Sequence, residues 1–439
     1  MTGKVSLVIP CYNKEKYIGS MLQSVFNQDW DNIELILVND GSTDGTRNVI
    51  AQWEPKLKAR GYEVIVADKK NGGVADAVKC GLERVTGEFV CQLDADDEIE
   101  PAYVSTLAGW LSENPDYSWA ACDAIKTSET SSVYIRPFLH GAQSCNAENW
   151  ILRRIAPFVW LYMVRADYFK KCRVTELFYT GSRGDQEFQY FAPLVFGGGK
   201  LKHVKLPLYR YNFADAQTHL SHSADYEAAK KLYRGRVPVY LEVIRRLPIE
   251  ADIKKRLSAI AEMKSYTFIF SRLLNLNAPP DDLKDATDNI LVEMKKHFIN
   301  AELLCPKTAH KHPRLLCAAI EDNILGITPP KTELKNKRVI AWGVLGKNAQ
   351  AILSYLENTV LKPTLLWDAK GDGVSVLKPD INLLDSGDIV LILPSFAGDI
   401  SDAVEKSKCN TCISNDEILT YLASSKFPCL YDGTIKFRG

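Results

Sequence analysis

The N-terminal third alternates short apolar runs with stretches whose apolar residues recur at helical spacing. Val5–Ile9 reads as a buried strand that Pro10 should stop, and Tyr17, Ile18, Leu22, Val25 and Phe26 then follow the period of a helix. Glu34–Val38, Glu63–Ala67 and Phe89–Leu93 read as further strands. Asp44–Trp53, Ala75–Arg84 and a segment from Pro101 to about Leu111 read as helices between and after them. Strands alternating with helices predict βαβ units and a mostly parallel sheet. An aromatic-rich stretch to about Tyr211 follows, and from about Ser221 to Leu325 the texture becomes long-helical. There Ile253, Leu257, Ile260, Thr267, Phe270 and Leu274 lie close to one helix face, ending before Asn277 and the Pro279–Pro280 pair. Beyond Pro329–Pro330 and the lysine-rich KTELKNK, a second α/β unit is expected. Its strands are Arg338–Trp342, Thr364–Trp367 and Asp388–Leu393, and Ala349–Leu356 is its helix.

With 439 residues the chain is too long for one compact core, so two or three domains are expected. Its 46% hydrophobic and 25% charged residues exclude wholesale disorder. The 54 basic and 54 acidic side chains balance, which argues against a nucleic-acid-coating protein. No apolar run reaches the roughly 18–20 residues of a membrane-spanning helix, and the N-terminus lacks a signal-peptide pattern. Eleven cysteines without framework spacing point to a reducing, cytoplasmic setting.

Four segments fall at the C-terminal ends of expected strands, where open α/β sheets bind ligands: IPCYNKEKYI, VNDGSTDGT, KKNGGVADA and QLDADDE. Singly, each has an ordinary explanation as a helix cap, a turn or a solvated acidic loop. Together they are harder to dismiss. Asp94, Asp96 and Asp97 place three carboxylates within four residues directly after an apolar run, and such a cluster repels itself unless a divalent cation neutralises it. Carboxylates with substrate phosphates are the usual ligand set for Mg²⁺ or Mn²⁺.

These segments, in this order, resemble the family 2 glycosyltransferases with the GT-A nucleotide-sugar-binding fold, over about residues 3 to 220. The resemblance implies that Pro10, Tyr12 and Glu15 line a uracil and ribose pocket and that Asp40 hydrogen-bonds the base. Asp94 and Asp96 correspond to the family's DXD pair, with Asp94 near the ribose, Asp96 on a metal bridging the diphosphate, and Asp97 facing the donor sugar. Asn71 joins the donor-binding set. Where the family often carries an arginine after the NGG turn, this chain has Ala77, Val78 and Lys79, so Lys79 is the substitute candidate. The general base corresponds to Asp185 in SRGDQEFQYF, with Glu187 as the alternative because the family's paired acids are replaced here by Gly184 and Asp185. His219 is a candidate for the metal or diphosphate, as is Ser221.

The expected architecture is α/β: a GT-A (Rossmann-like) catalytic domain over 1–220, a helical region over 221–330 and a small Rossmann-like accessory domain over 331–439. In the last of these, Gly343-x-x-Gly346, followed by Lys347 and later Asp368, is an incomplete dinucleotide fingerprint; it serves equally as close strand–helix packing. Cys409 and Cys412 form one isolated CxxC without the second ligand pair of a zinc site.

The expected activity is inverting, metal-dependent transfer of a sugar from a UDP-sugar to a glycan or lipid-linked acceptor in surface polysaccharide assembly, with Mn²⁺ or Mg²⁺ as cofactor and no nucleic acid involved. A non-catalytic nucleotide-sugar-binding scaffold and a sugar nucleotidyltransferase are the alternatives. The basic run Lys230, Lys231, Arg234, Arg236, Arg245, Arg246, Lys254, Lys255 and Arg256 reads as a solvated face or as a patch for peripheral contact with anionic lipid. A homo-oligomer is a further expectation.

Overall fold

The computed structural model describes residues 3–128, 131–137, 158–178, 186–212, 237–275, 280–329, 337–345, 347–357, 359, 361–368, 370–371, 375–393, 400, 403–404 and 406–438. The chain divides into two compact units, Met1–Ser258 and Ala259–Gly439.

The first unit is built on a nine-stranded mixed sheet. Its strands are β1 (Val5–Cys11), β2 (Ile33–Asp40), β3 (Glu63–Lys69), β4 (Phe89–Gln92), β5 (Glu98–Ile99), β6 (Trp119–Ser128), β7 (Ser131–Ile135), β8 (Tyr162–Arg165) and β9 (Leu201–Asn212). They lie in the order β3-β2-β1-β4-β8-β6-β9-β5, with β7 paired to β6. β3, β2, β1 and β4 are mutually parallel, whereas β8 runs antiparallel to β4 and β6. Val5, Leu7, Val8 and Ile9 are all fully buried, as are Leu35 to Val38, which is why these strands read as unbroken apolar runs. The connecting helices are α1 (Ile18–Phe26), α2 (Thr46–Ala59) and α3 (Val74–Leu82), followed by α4 (Tyr103–Glu113) after β5. In α1, Ile18, Met21, Leu22 and Val25 form one fully buried stripe at i, i+3, i+4 and i+7. A later helix, α5 (Gln186–Phe196), buries Tyr190, Phe191 and Leu194 in the same core.

Pro10 does not stop β1. The strand continues to Cys11 in register with β2, Pro10 opposite Val38. The Val8 carbonyl accepts from Leu93 N on the β4 side, and Pro10, two residues on, faces the same way. β4 has already ended at Gln92, so the missing proline N–H removes no ladder bond.

The second unit contains most of the long helix α6 (Ala251–Asn275), then α7 (Pro280–His297), α8 (Pro313–Leu325), α9 (Lys347–Leu356) and α10 (Asn415–Lys426). A short antiparallel pair joins β10 (Phe298–Ile299) to β15 (Lys436–Phe437). Its parallel sheet has the order β12-β11-β13-β14, formed by β11 (Val339–Trp342), β12 (Leu365–Trp367), β13 (Ile389–Ile392) and β14 (Thr411–Ile413). Ser414 and Glu417 close a reciprocal capping box at the start of α10. No described helix is long and apolar enough to cross a membrane.

Candidate active site

The parallel order β3-β2-β1-β4 brings the C-terminal ends of four strands side by side. The loops after β1 and β2 are knitted together. Asn13, held at φ 51°, receives Thr43 N on its Oδ1 at 2.8 Å, while its own N donates to Ser42 Oγ at 3.1 Å. Glu15 accepts from Gly45 N at 2.8 Å and donates its own N–H to Asp44 Oδ2 at 3.1 Å. Lys14 N donates to Thr46 Oγ1 at 2.7 Å.

The loop after β3 is fastened to β2 through Asp40, which is 2% exposed. Its carboxylate accepts from Gly72 N and Gly73 N, both at 2.9 Å, and from Lys69 Nζ at 2.5 Å. Lys69 also pairs with Asp76 at 2.6 Å. Burial works against the Lys69 charge, but the bonds to Asp40 and Asp76 hold its pKa above the ordinary lysine value. Gly41, at φ 67°, must be glycine here, because a Cβ would meet Asn71 N at 2.7 Å.

After β4 the three acids diverge in environment. Asp96 pairs with Lys14 Nζ at 2.5 Å, and both side chains keep some solvent access. Asp94 has its carboxyl pushed up to about 7, first by burial and then by the Asp96 charge, with Lys14 pulling the other way. Asp97 is 1% exposed and accepts from Tyr209 Oη at 2.6 Å and from Asn212 N at 2.8 Å. Burial and the charges of Asp94 and Asp96 raise its pKa far above the carboxylate range. The Tyr209 hydroxyl also accepts from Asp94 N at 3.3 Å, so β9 holds both ends of the acidic loop.

The expected residues therefore fall in several places. Pro10 (half-buried) and Asp40 lie in the last residues of β1 and β2, and Tyr12 (46% exposed), Glu15, Asn71, Asp94 and Asp96 sit on the loops that follow the four strands. Asp97, expected to face a donor sugar, has both oxygens engaged by β9, where it pins the loop. Lys79 lies on α3 in an i,i+4 pair with Glu83. Asp185, His219 and Ser221 lie outside the described residues, and Glu187 falls in the first turn of α5.

Lys14, Lys69 and Tyr209 are the residues that sequence reasoning missed. Lys69 left a trace, since it ends β3 opposite Asp40 at the end of β2. Of the basic run, Arg245 and Arg246 both bond Glu242, and Arg256 pairs with Asp252, as on a solvated helix face; positions 230–236 lie outside the described residues.

In the second unit, Gly343 adopts φ 79° at the end of β11. Asp368 accepts from Leu345 N at 3.1 Å and from Lys370 N at 3.0 Å, so its carboxylate closes the turn from within. Gly346 and the side chain of Lys347 lie outside the described part. Cys409 is buried and Cys412 exposed.

Residues 6–175 match Glycosyl transferase family 2. These residues carry a glycosyltransferase family 2 domain. Among its relatives, EpsH of Bacillus subtilis is 29% identical over 245 residues, covering 54% of this chain and 67% of EpsH. The uncharacterized glycosyltransferase YibD of Escherichia coli is 27% identical over 220 residues, 48% of this chain and 61% of YibD. The chondroitin synthase of Pasteurella multocida is 39% identical over 97 residues, 22% of this chain but only 10% of that protein. In three dimensions the glycosyltransferase is similar to the crystal structure of Staphylococcus aureus TarS 1–349 in complex with UDP-GlcNAc, with a TM-score of 0.51 at 17% identity, covering 74% of this chain and 90% of that one. The shared fold is that of the GT-A glycosyltransferases.

Proposed function

We propose that the protein transfers a sugar, with inversion, from a UDP-sugar to a hydroxyl of a glycan or lipid-linked acceptor, in a divalent-metal-dependent reaction of surface polysaccharide assembly at the cytoplasmic face of a membrane. The observation that carries this reading is the acidic loop after β4, where three carboxylates cluster, Lys14 pairs with Asp96, and Asp94 is driven to about 7. The TarS structure that shares the fold holds UDP-GlcNAc, which supports a UDP-linked donor.

The loop fits a cation by its donor chemistry: hard carboxylate oxygens in excess of positive charge, at a strand end. Asp96 and Asp94 would hold Mn²⁺ or Mg²⁺ there, and the ion would supply charge stabilisation for the departing diphosphate. The chain's own residues do the rest. Tyr12 and the half-buried Pro10 offer flat apolar surface to the base. Asp40 and Lys69 keep the Gly72–Gly73 backbone in place beside the base. Asp185, with Glu187 as the alternative, would accept the proton of the incoming hydroxyl on the face opposite the leaving group, which yields inversion in one displacement.

The test is transfer from a panel of UDP- and GDP-sugars to glycan acceptors, with Mn²⁺ or with EDTA, reading anomeric configuration by NMR. A product of inverted configuration formed only with the metal is expected. Full turnover in EDTA, or retention of configuration, would refute the reading.

A further inference from the structure

Among the contacts of the acidic loop, one ion pair stands apart. Lys14 Nζ lies 2.5 Å from Asp96 Oδ2, with the two side chains 19% and 14% exposed. Among the described residues, Lys14 is the one hydrogen-bond partner of the Asp96 carboxylate, and its ammonium forms no second ion pair. The other neighbour of the ammonium is the Tyr17 ring, whose centroid is 6.0 Å away, at the outer limit of a cation–π contact. Lys69, the other lysine of the site, is held differently. Its ammonium meets Asp40, Asp76 and the Lys70 carbonyl, and Asp40 also accepts from Gly72 N and Gly73 N. Loss of one bond there leaves the rest in place. Loss of the Lys14 bond leaves Asp96 without a hydrogen bond among the described residues.

The Lys14 backbone is fixed where its side chain is not. Its N donates to Thr46 Oγ1 at 2.7 Å, and its carbonyl accepts from Tyr17 N at 3.0 Å and Ile18 N at 2.9 Å as α1 begins. From that anchor a flexible four-carbon stem carries a compact point charge, which can change partners without any movement of the backbone. Asp96 is also the carboxylate assigned to the divalent ion under the transferase reading, on which this inference rests. An ammonium and a divalent ion on one carboxylate repel each other strongly in a partly buried setting, so the two compete for Asp96.

We propose that Lys14 is a resident counter-ion for Asp96, displaced when the divalent ion arrives and then opposed to the negative charge that the donor's diphosphate brings. Asp94 and Asp96 balance the two charges of the ion, and the diphosphate adds two negative charges that they cannot offset. The displaced ammonium is the nearby cation left to meet them. Lys14 therefore works against the ion alone and in favour of the ion together with the nucleotide. A lysine that merely braced the loop would support both.

Because the two effects have opposite signs, one substitution in the full chain separates them. Mn²⁺ binding without nucleotide is read from the paramagnetic resonance of the free ion, and UDP binding at saturating Mn²⁺ by calorimetry. Lys14→Met should bind Mn²⁺ alone about two- to fivefold more tightly than wild type, the worth of a partly exposed ion pair, and UDP with Mn²⁺ more weakly by about the same factor. Circular dichroism checks the fold, and Lys14→Gln, which removes the charge but stays polar, must reproduce both shifts. Mn²⁺ bound no more tightly by the two variants, or UDP bound as tightly as by wild type, would overturn the proposal. Asp96→Ala marks the difference from a failure of the transferase reading. If Asp96→Ala binds Mn²⁺ as wild type does, or wild type binds none, the metal reading falls and this inference with it. If Asp96→Ala loses the ion while Lys14→Met gains nothing, the inference alone falls.

Discussion

Replacing Asp94 by asparagine should stabilise the metal-free protein above neutral pH. Asp94 ionises at about 7 in the folded chain, against an ordinary 3.8. Because the folded-state value is raised, the stability this carboxyl contributes is complete below pH 3.8 and is lost as pH climbs through about 7. The ceiling on that loss is about 4 kcal/mol, at roughly 1.4 kcal/mol for each tenfold change in the ionisation constant. Residual solvent access and relaxation of Lys14 reduce it, so a difference of about 2 kcal/mol between pH 5 and pH 8 is the working expectation. Asparagine has the same shape and no charge, so Asp94→Asn should lack the decline. The assay is calorimetric unfolding of both proteins in EDTA at pH 5, 6, 7 and 8, taking the difference at each pH so that other titrations cancel. Mn²⁺ added at pH 8 should raise the wild-type transition and leave that of Asp94→Asn nearly still. A difference that is flat with pH, or a variant less stable than wild type at pH 8, would refute the argument that burial and Asp96 jointly load this carboxyl.

Two further outcomes can be checked with simple variants. Asp185→Asn should lower transfer about 10²- to 10⁴-fold while UDP affinity, by calorimetry, stays within a few-fold; if Glu187→Gln does this instead, the base is Glu187. Tyr209→Phe leaves the buried Asp97 carboxyl with Asn212 N as its remaining partner of the two and should cost about 1–3 kcal/mol in urea unfolding. An unchanged midpoint would show that the hydroxyl is not what holds the loop.

The strand ends were legible because strands covered on both faces must be apolar throughout, and so the polar residue that follows each one marks the sheet's edge. β1 to β4 each emerged within a few residues of their place by that reasoning. Pro10 misled it, because a proline's effect depends on whether a neighbour faces its nitrogen, and the early end of β4 is a property of the sheet. The same limit hid Lys14 and Lys69: each is an ordinary basic residue until parallel register sets it beside an acid, 82 residues away for Asp96 and 29 for Asp40. Asp97 shows the same limit: the resemblance implies that it faces the donor sugar, and no pattern in the sequence tells that its carboxyl accepts from Tyr209 and Asn212 of β9.

The grip of β9 on the acidic loop also fixes when the loop can exist. Tyr209 reaches Asp97 across 112 residues, and Asn212 reaches it across 115. A contact of that range is late in any folding order, since the chain between must first be made and then closed into a ring at an entropic cost. On a ribosome adding roughly 5–20 residues per second, the first four strands would emerge several seconds before their clasp. During that interval Asp97 lacks both of its β9 partners, and Lys14, through Asp96, is the cation that the segment can reach within the first four strands. Only after β9, the last strand of the sheet in chain order, pairs beside β6 are both oxygens of Asp97 engaged, so the acidic loop takes its final form with that strand, and a nascent chain passes its first seconds without it.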